Sequence, residues 1–255
     1  MHIFRKVTLA VAAVVLAAAP VLGHWDPTDP AKWVQLPDPN GWDVKATMPK
    51  ILADDFLCTR SLAITDIHFW GSWQQDQIGQ ISGVWLGIYS DDPVGPGGGD
   101  PGNIYSKPDQ LAWSWETDDF SIRPVDPPSS QGWYDPNTGL YMKPDHQQYF
   151  QYNVLIPKDQ AFVQRGTTAD PVVYWLSIQV QATSGEWGWK TSAMLWNDDA
   201  VWADWSPGMP APSGWQELRD PLTGDSLDLA FVITPEPASL LLLALGGCAL
   251  LRRRR

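Results

Sequence analysis

Cysteine is almost absent from this 255-residue chain, with only Cys58 and Cys248 present, and that excludes a disulfide framework. Cys58 follows the strand-like Phe56-Leu57 and reads as a small buried hydrophobe, because no Cys/His signature accompanies it. Glutamate is nearly as scarce: Glu116, Glu186, Glu217 and Glu236 are all there are. The four histidines include His24, His68 in a strand-like run and His146 in a loop-like one, with no HExxH-type pairing for a metal triad. No Gly-x-Ser-x-Gly elbow, P-loop or dinucleotide fingerprint occurs. Basic residues are few where they matter. Between residues 24 and 234 eleven Lys and Arg face 28 acids, a formal charge near −17 that repels phosphate backbones and argues against nucleic-acid binding. That stretch also has no segment of helical length and periodicity.

What is present is concentrated first at the two ends. Arg5 and Lys6 precede an apolar run from Val7 to Ala19, and small residues follow at Val21 and Gly23, the pattern of a signal peptide over residues 1–23 that signal peptidase would remove. An amphipathic helix would need a polar face, and Leu9 to Ala19 has none. At the other end Pro235-Glu236-Pro237 is followed by an uncharged run to Leu251 and then by Arg252 to Arg255. The segment 238–251 is expected to form a short transmembrane helix, its arginines held on the cytoplasmic side. Fourteen residues rise about 21 Å against a hydrocarbon core of about 30 Å, a gap that arginine snorkelling and bilayer thinning close.

These three ordered parts of residues 235–255 resemble the PEP-CTERM sorting domain. The resemblance implies cleavage near Pro235-Glu236-Pro237 by an exosortase-type membrane enzyme of certain Gram-negative bacteria. The expected route is export, an inner membrane-anchored intermediate, and then the cell surface or extracellular matrix.

Between the ends, residues 24–234 read as one all-β ectodomain. Val172, Tyr174, Leu176, Ile178 and Val180 fall on one face of a strand, with Ser177, Gln179 and Gln181 on the other. Leu227, Leu229, Phe231 and Ile233 repeat the pattern, and further strands are expected at 64–70, 84–89, 111–116, 148–156 and 187–196. Proline and glycine mark long loops at 91–103, 124–137 and 206–214. Many short strands with turn signals between them predict an antiparallel β-sandwich of jelly-roll type, with a barrel as the alternative. The runs Ala53-Asp54-Asp55-Phe56-Leu57-Cys58, Thr65 to Trp73, and Gly188-Trp189-Lys190-Thr191-Ser192 are similar to those of an uncharacterised family of secreted bacterial domains, a resemblance that implies no activity.

Two residue types suggest binding chemistry. All sixteen tryptophans lie between Trp25 and Trp215, and tryptophan stacks well on sugar rings. Trp70, Trp85 and Trp175 are expected to fill the core, while Trp133, Trp187, Trp189 and Trp215 are the candidates for an exposed platform taking a neutral polysaccharide. Aspartate outnumbers glutamate 25 to 4 and comes in pairs, and Asp54, Asp55, Asp66, Asp198 and Asp199 are the candidate calcium ligands. The competing reading is turn chemistry, since many aspartates sit beside proline or glycine. A glycoside hydrolase would need two carboxyls across one cleft, with Glu186 and Glu116 the first to examine. The favoured expectation is a non-enzymatic protein of the envelope or polysaccharide matrix, structural or glycan-binding.

Overall fold

The computed structural model describes residues 23–95, 102–212 and 214–234. Among them the only helix is a 3-10 turn at Gln74–Asp76, and no helix is long and apolar enough to cross a membrane. The signal peptide through residue 22, the Pro235-Glu236-Pro237 motif and the apolar run after it lie outside the described residues.

The strands in chain order begin with β1 (Trp33–Gln35), β2 (Trp42–Lys45), β3 (Lys50–Arg60), β4 (Ala63–Ile64), β5 (Asp66–Trp73) and β6 (Gln80–Asp92). Next come β7 (Lys107–Thr117), β8 (Ser121–Pro124), β9 (Gln131–Asp135), β10 (Leu140–His146), β11 (Phe150–Leu155) and β12 (Phe162–Val163). The last are β13 (Thr167–Ser184), β14 (Trp187–Ser192), β15 (Val201–Asp204), β16 (Gln216–Glu217), β17 (Asp228–Leu229) and β18 (Phe231–Thr234).

A six-stranded sheet runs β16-β15-β3-β13-β6-β7 and is antiparallel throughout. A ten-stranded sheet runs β1-β18-β5-β14-β2-β9-β10, with β11 on the other edge of β5, β8 beyond it, and β17 beside β14. One pair departs from the antiparallel expectation, because β2 and β9 run parallel. Strand β9 itself occupies part of the stretch expected to be a loop.

Successive side chains of a strand point to opposite faces, so the two sheets sort their residues cleanly. Leu52, Phe56 and Cys58 of β3 and Leu176, Ile178 and Val180 of β13 meet Phe69, Tyr152, Trp187 and Phe231 of the large sheet in the main core. At its centre Phe69 stacks on Tyr152 at 5.4 Å, and the Trp187 ring stands perpendicular to both. Each such ring withdraws about 150–250 Å² from water, on the order of 4–6 kcal/mol. Gly71 makes room for it, because a Cβ there would lie 2.2 Å from Trp187 Cζ2 and 2.3 Å from the Gly188 carbonyl oxygen.

The other face of the six-stranded sheet is buried too. Ile51, Ala53, Trp85, Tyr89 and Trp175 pack under Trp205 and Trp215, which bracket the proline-rich loop after β15. The Gln179 Nε2 donates to the Trp205 carbonyl at 2.9 Å, so the face that carries Ser177 and Gln179 is roofed, and Trp85 and Trp175 are buried as expected. On the outer face of the large sheet a third cluster gathers Trp25, Trp70, Tyr149, Ala230 and Val232.

Candidate functional site

The outer face of the ten-stranded sheet carries a cleft and, beside it, a buried polar network. The cleft, about 360 Å³, has Trp25, Trp70, Leu36 and Val125 as its apolar wall and Asp26, Arg123, Asp126 and Gln151 as its polar groups. The Trp25 and Trp70 rings meet nearly perpendicular at 6.2 Å, and the Gln151 amide donates to the Trp25 carbonyl at 2.9 Å, pinning the segment before β1 across the sheet. Arg123 Nη1 lies 3.2 Å from Asp26 Oδ1 at the exposed rim. Such a mixture, apolar wall with a few hydrogen-bonding groups, is the usual make-up of a small-ligand site.

Two positions along β5 from Trp70, Ser72 faces the same side, about 7 Å further on. Its hydroxyl lies 2.7 Å from His146 Nε2, and His146 Nδ1 lies 2.9 Å from Asp145 Oδ2. The same Nε2 is 2.8 Å from Asp43 Oδ2, which also accepts from Lys190 Nζ at 2.9 Å. Lys190 sits over the Tyr149 ring at 5.5 Å. Burial opposes ionisation of Asp43, but Lys190 and His146 outweigh it and hold the carboxyl below its ordinary range. Burial pulls the Lys190 ammonium down, with Asp43 only partly opposing. For His146 burial is overcome by its two aspartates, and the imidazole is pushed up.

Serine, histidine and aspartate in series resemble a nucleophile, its base and the group that orients the base. They do not form a site for an external substrate, since Ser72, His146 and Asp43 are all buried and Nε2 is shared with a second carboxylate. Sequence reasoning missed this network. His146 ends strand β10 and is buried rather than standing in a loop, and only its register opposite Gln131 brings it over β2.

The expectation of an exposed platform fails for all four tryptophans. Trp187 and Trp189 are fully buried in the main core, Trp133 is buried in β9, and Trp215 belongs to the roofed cluster. The more exposed indoles are instead Trp33, Trp113, Trp115 and Trp196.

The five candidate calcium ligands do not converge on one point: Asp54 and Asp55, neighbours in a strand, point to opposite faces, and only Asp55 and Asp198 come together, through Asn197. Asp54 faces inward, where Gln35 Nε2 stands 3.2 Å from both Asp54 Oδ2 and Asp228 Oδ2. Asp55 faces the roofed side and accepts from Asn197, which also reaches Asp198. Asp199 is held by Ser226 and Arg219, and Asp66 lies 3.2 Å from His68 Nε2 in the other sheet. Among the described residues no group of three or more His, Cys, Asp or Glu side chains is arranged to hold a metal ion. Burial pushes Asp55 up to about 8 and Asp228 up to about 7, and burial followed by the Asp228 charge raises Asp54 as well.

The glutamates do not share a cleft. Glu186 pairs with Lys45 at 3.2 Å, Glu116 accepts from Gln181 on the other sheet, and Glu217 binds Arg219. A family model described as a domain of unknown function, DUF7901, matches residues 31–234. No curated protein and no solved structure gives a significant match.

Proposed function

Since the chain belongs to the DUF7901 family of domains of unknown function, we propose that it is an exported, non-enzymatic binding protein of the cell envelope or polysaccharide matrix. In this reading the cleft beside Trp25 and Trp70 takes a neutral saccharide. The observation that carries it is the cleft itself, where Leu36, Val125 and the thin exposed edges of Trp25 and Trp70, 5% and 4% accessible, back a small set of polar groups on the outer sheet face. Sugar rings offer apolar faces for aromatic contact and hydroxyls for Arg123, Asp26 and Asp126. The charge near −17 disfavours acidic polysaccharides. The hydrolase reading is weaker, because neither Glu116 nor Glu186 lines this cleft and, of its two carboxyls, Asp26 is paired with Arg123 at the exposed rim.

Strands that alternate between the two sheets along β2, β3, β5 and β6, and again along β11, β13, β14 and β15, support a jelly-roll-like description of the sandwich. Residues 1–23 would direct export through signal peptidase. Residues 235–255 would hold the protein in the inner membrane until an exosortase-type enzyme releases it near Pro237.

The test is titration of the exported protein with neutral polysaccharides, read by tryptophan fluorescence. A saturable change, weakened about tenfold or more by Arg123→Ala, is the expected outcome. No change with any neutral glycan, or tighter binding to sulfated ones, would overturn this reading and leave a structural role.

A further inference from the structure

The buried network around Lys190 carries a second inference, independent of any ligand in the cleft. Lys190 and Asp43 are directly opposed across β14 and β2, and their side chains meet at 2.9 Å with both fully buried. A buried ion pair regains little of the solvation it gives up unless every remaining polar atom is satisfied. Here one is not: Asp43 Oδ1 has no hydrogen-bond partner. A carboxylate oxygen left bare in the interior is costly, and an amide carbonyl in the same place is much less so.

We propose that Lys190 and Asp43 condense inside the folded domain to form an isopeptide amide, with His146 carrying the protons. The ingredients are an amine and a carboxyl in contact, a dry and partly aromatic surrounding supplied by Tyr149, and a titratable group on the oxygen that must leave. Lys190 passes a proton to Asp43 Oδ2, and the freed amine attacks Cγ. The Nζ–Cγ bond forms and the Cγ–Oδ2 bond breaks. His146 Nε2, at 2.8 Å from Oδ2, gives the proton that lets this oxygen depart as water and then takes one back from Nζ. Asp145 at 2.9 Å from Nδ1 orients the imidazole and favours its charged form. The balance is one ammonium and one carboxylate converted to one amide and one water, so no oxidant, cofactor or activated donor is required. Both charges disappear, which removes the desolvation cost of the pair.

Mass decides the matter. The exported full-length protein, weighed intact after folding, is expected to fall about 18 Da below the mass calculated for its own observed termini, the loss of one water. Proteolysis is expected to yield a branched peptide joining the segment around Lys190 to that around Asp43. Lys190→Arg keeps the charge but cannot make this bond, and its mass is expected to equal the calculated one. His146→Gln is expected to slow the mass loss at least tenfold, and an unchanged rate would overturn the shuttle role. Should the variants fail to fold, the wild-type digest alone is decisive. An intact mass equal to the calculated value, with Lys190 and Asp43 recovered on separate linear peptides, overturns the proposal and leaves an ion pair.

Discussion

Replacing Asp55 with asparagine is expected to stabilise this protein at pH 8 and to do much less at pH 5. Asp55 is fully buried, one of its oxygens accepts from Asn197 and the other, Oδ1, has no partner. Its carboxyl is pushed from 3.8 to about 8, first by burial. A folded value above the unfolded one means the native state holds the proton more tightly. The stabilisation is therefore complete below about pH 4 and is lost as pH rises through about 8. For a lone carboxyl, a rise of that size would correspond to on the order of 5 kcal/mol. Asp54 and Asp228 feel the same charge, so the protons are distributed over three carboxyls and one substitution recovers about half, 2–3 kcal/mol. For a domain of this size that is about 5–10 °C in Tm. The assay is thermal unfolding followed by near-UV circular dichroism at pH 5 and pH 8 with matched ionic strength. His146 is also raised and contributes a pH dependence of the same sign, which is why the variant rather than the wild type isolates the acid cluster. Equal gains at the two pH values, or no gain at pH 8, would refute the reasoning.

Gly71→Ala is expected to cost about 3 kcal/mol in urea unfolding, because its methyl would overlap Trp187 and the Gly188 carbonyl, neither of which can retreat; a loss below about 1 kcal/mol would show that the core yields there. Millimolar calcium, compared with chelator at matched ionic strength, is expected to leave Tm unchanged now that Asp54, Asp55, Asp66, Asp198 and Asp199 are seen to diverge; a rise of several degrees would reveal a site that forms only with the ion. Alanines at Pro235, Glu236 and Pro237 are expected to leave the tail uncut in a host with an exosortase, as read by intact mass, and normal trimming would reduce the tail to an anchor.

The strand Val172 to Gln181 was legible because its inner face is uniformly apolar and long enough for the period of two to stand out. Its other face is only half legible, because Trp175 belongs in a core by its size while nothing local tells that Ser177 and Gln179 are buried with it. Trp175, Ser177 and Gln179 are buried by Trp205 and Trp215, and a roof supplied from a later segment of the chain leaves no mark on the local alternation. Strand β9 was hidden for a related reason. Five residues beside several prolines give too short a pattern, and what fixes them is parallel pairing with β2, where Gly132 clears the Trp42 ring that a Cβ would approach to 2.5 Å. Trp133 consequently looked like a loop residue. The Asp54-Asp55 pair was visible as a motif, but a doublet in a strand cannot present both carboxylates to one ion, and only knowing that it lies in β3 reveals this. Nothing in the spacing of Asp43, Ser72, His146 and Lys190 joins them, since four separate strands bring them together.

Both described ends of the chain leave the sandwich on the same side. His24 lies against Asn153, which faces His68, and Thr234 ends β18 opposite Asp66, while the far end of β5 at Trp73 is seven residues and about 24 Å away. A tension applied through the segment after Thr234 therefore runs along β18. That strand is held on one edge by β1 and on the other by β5. Its hydrogen bonds would be loaded lengthwise and have to fail together, unlike the one-at-a-time opening of a ladder pulled from its end. The fold thus meets a pull on that end with a mechanically strong clamp, and the turn at Gln74–Asp76 follows β5 at the opposite pole.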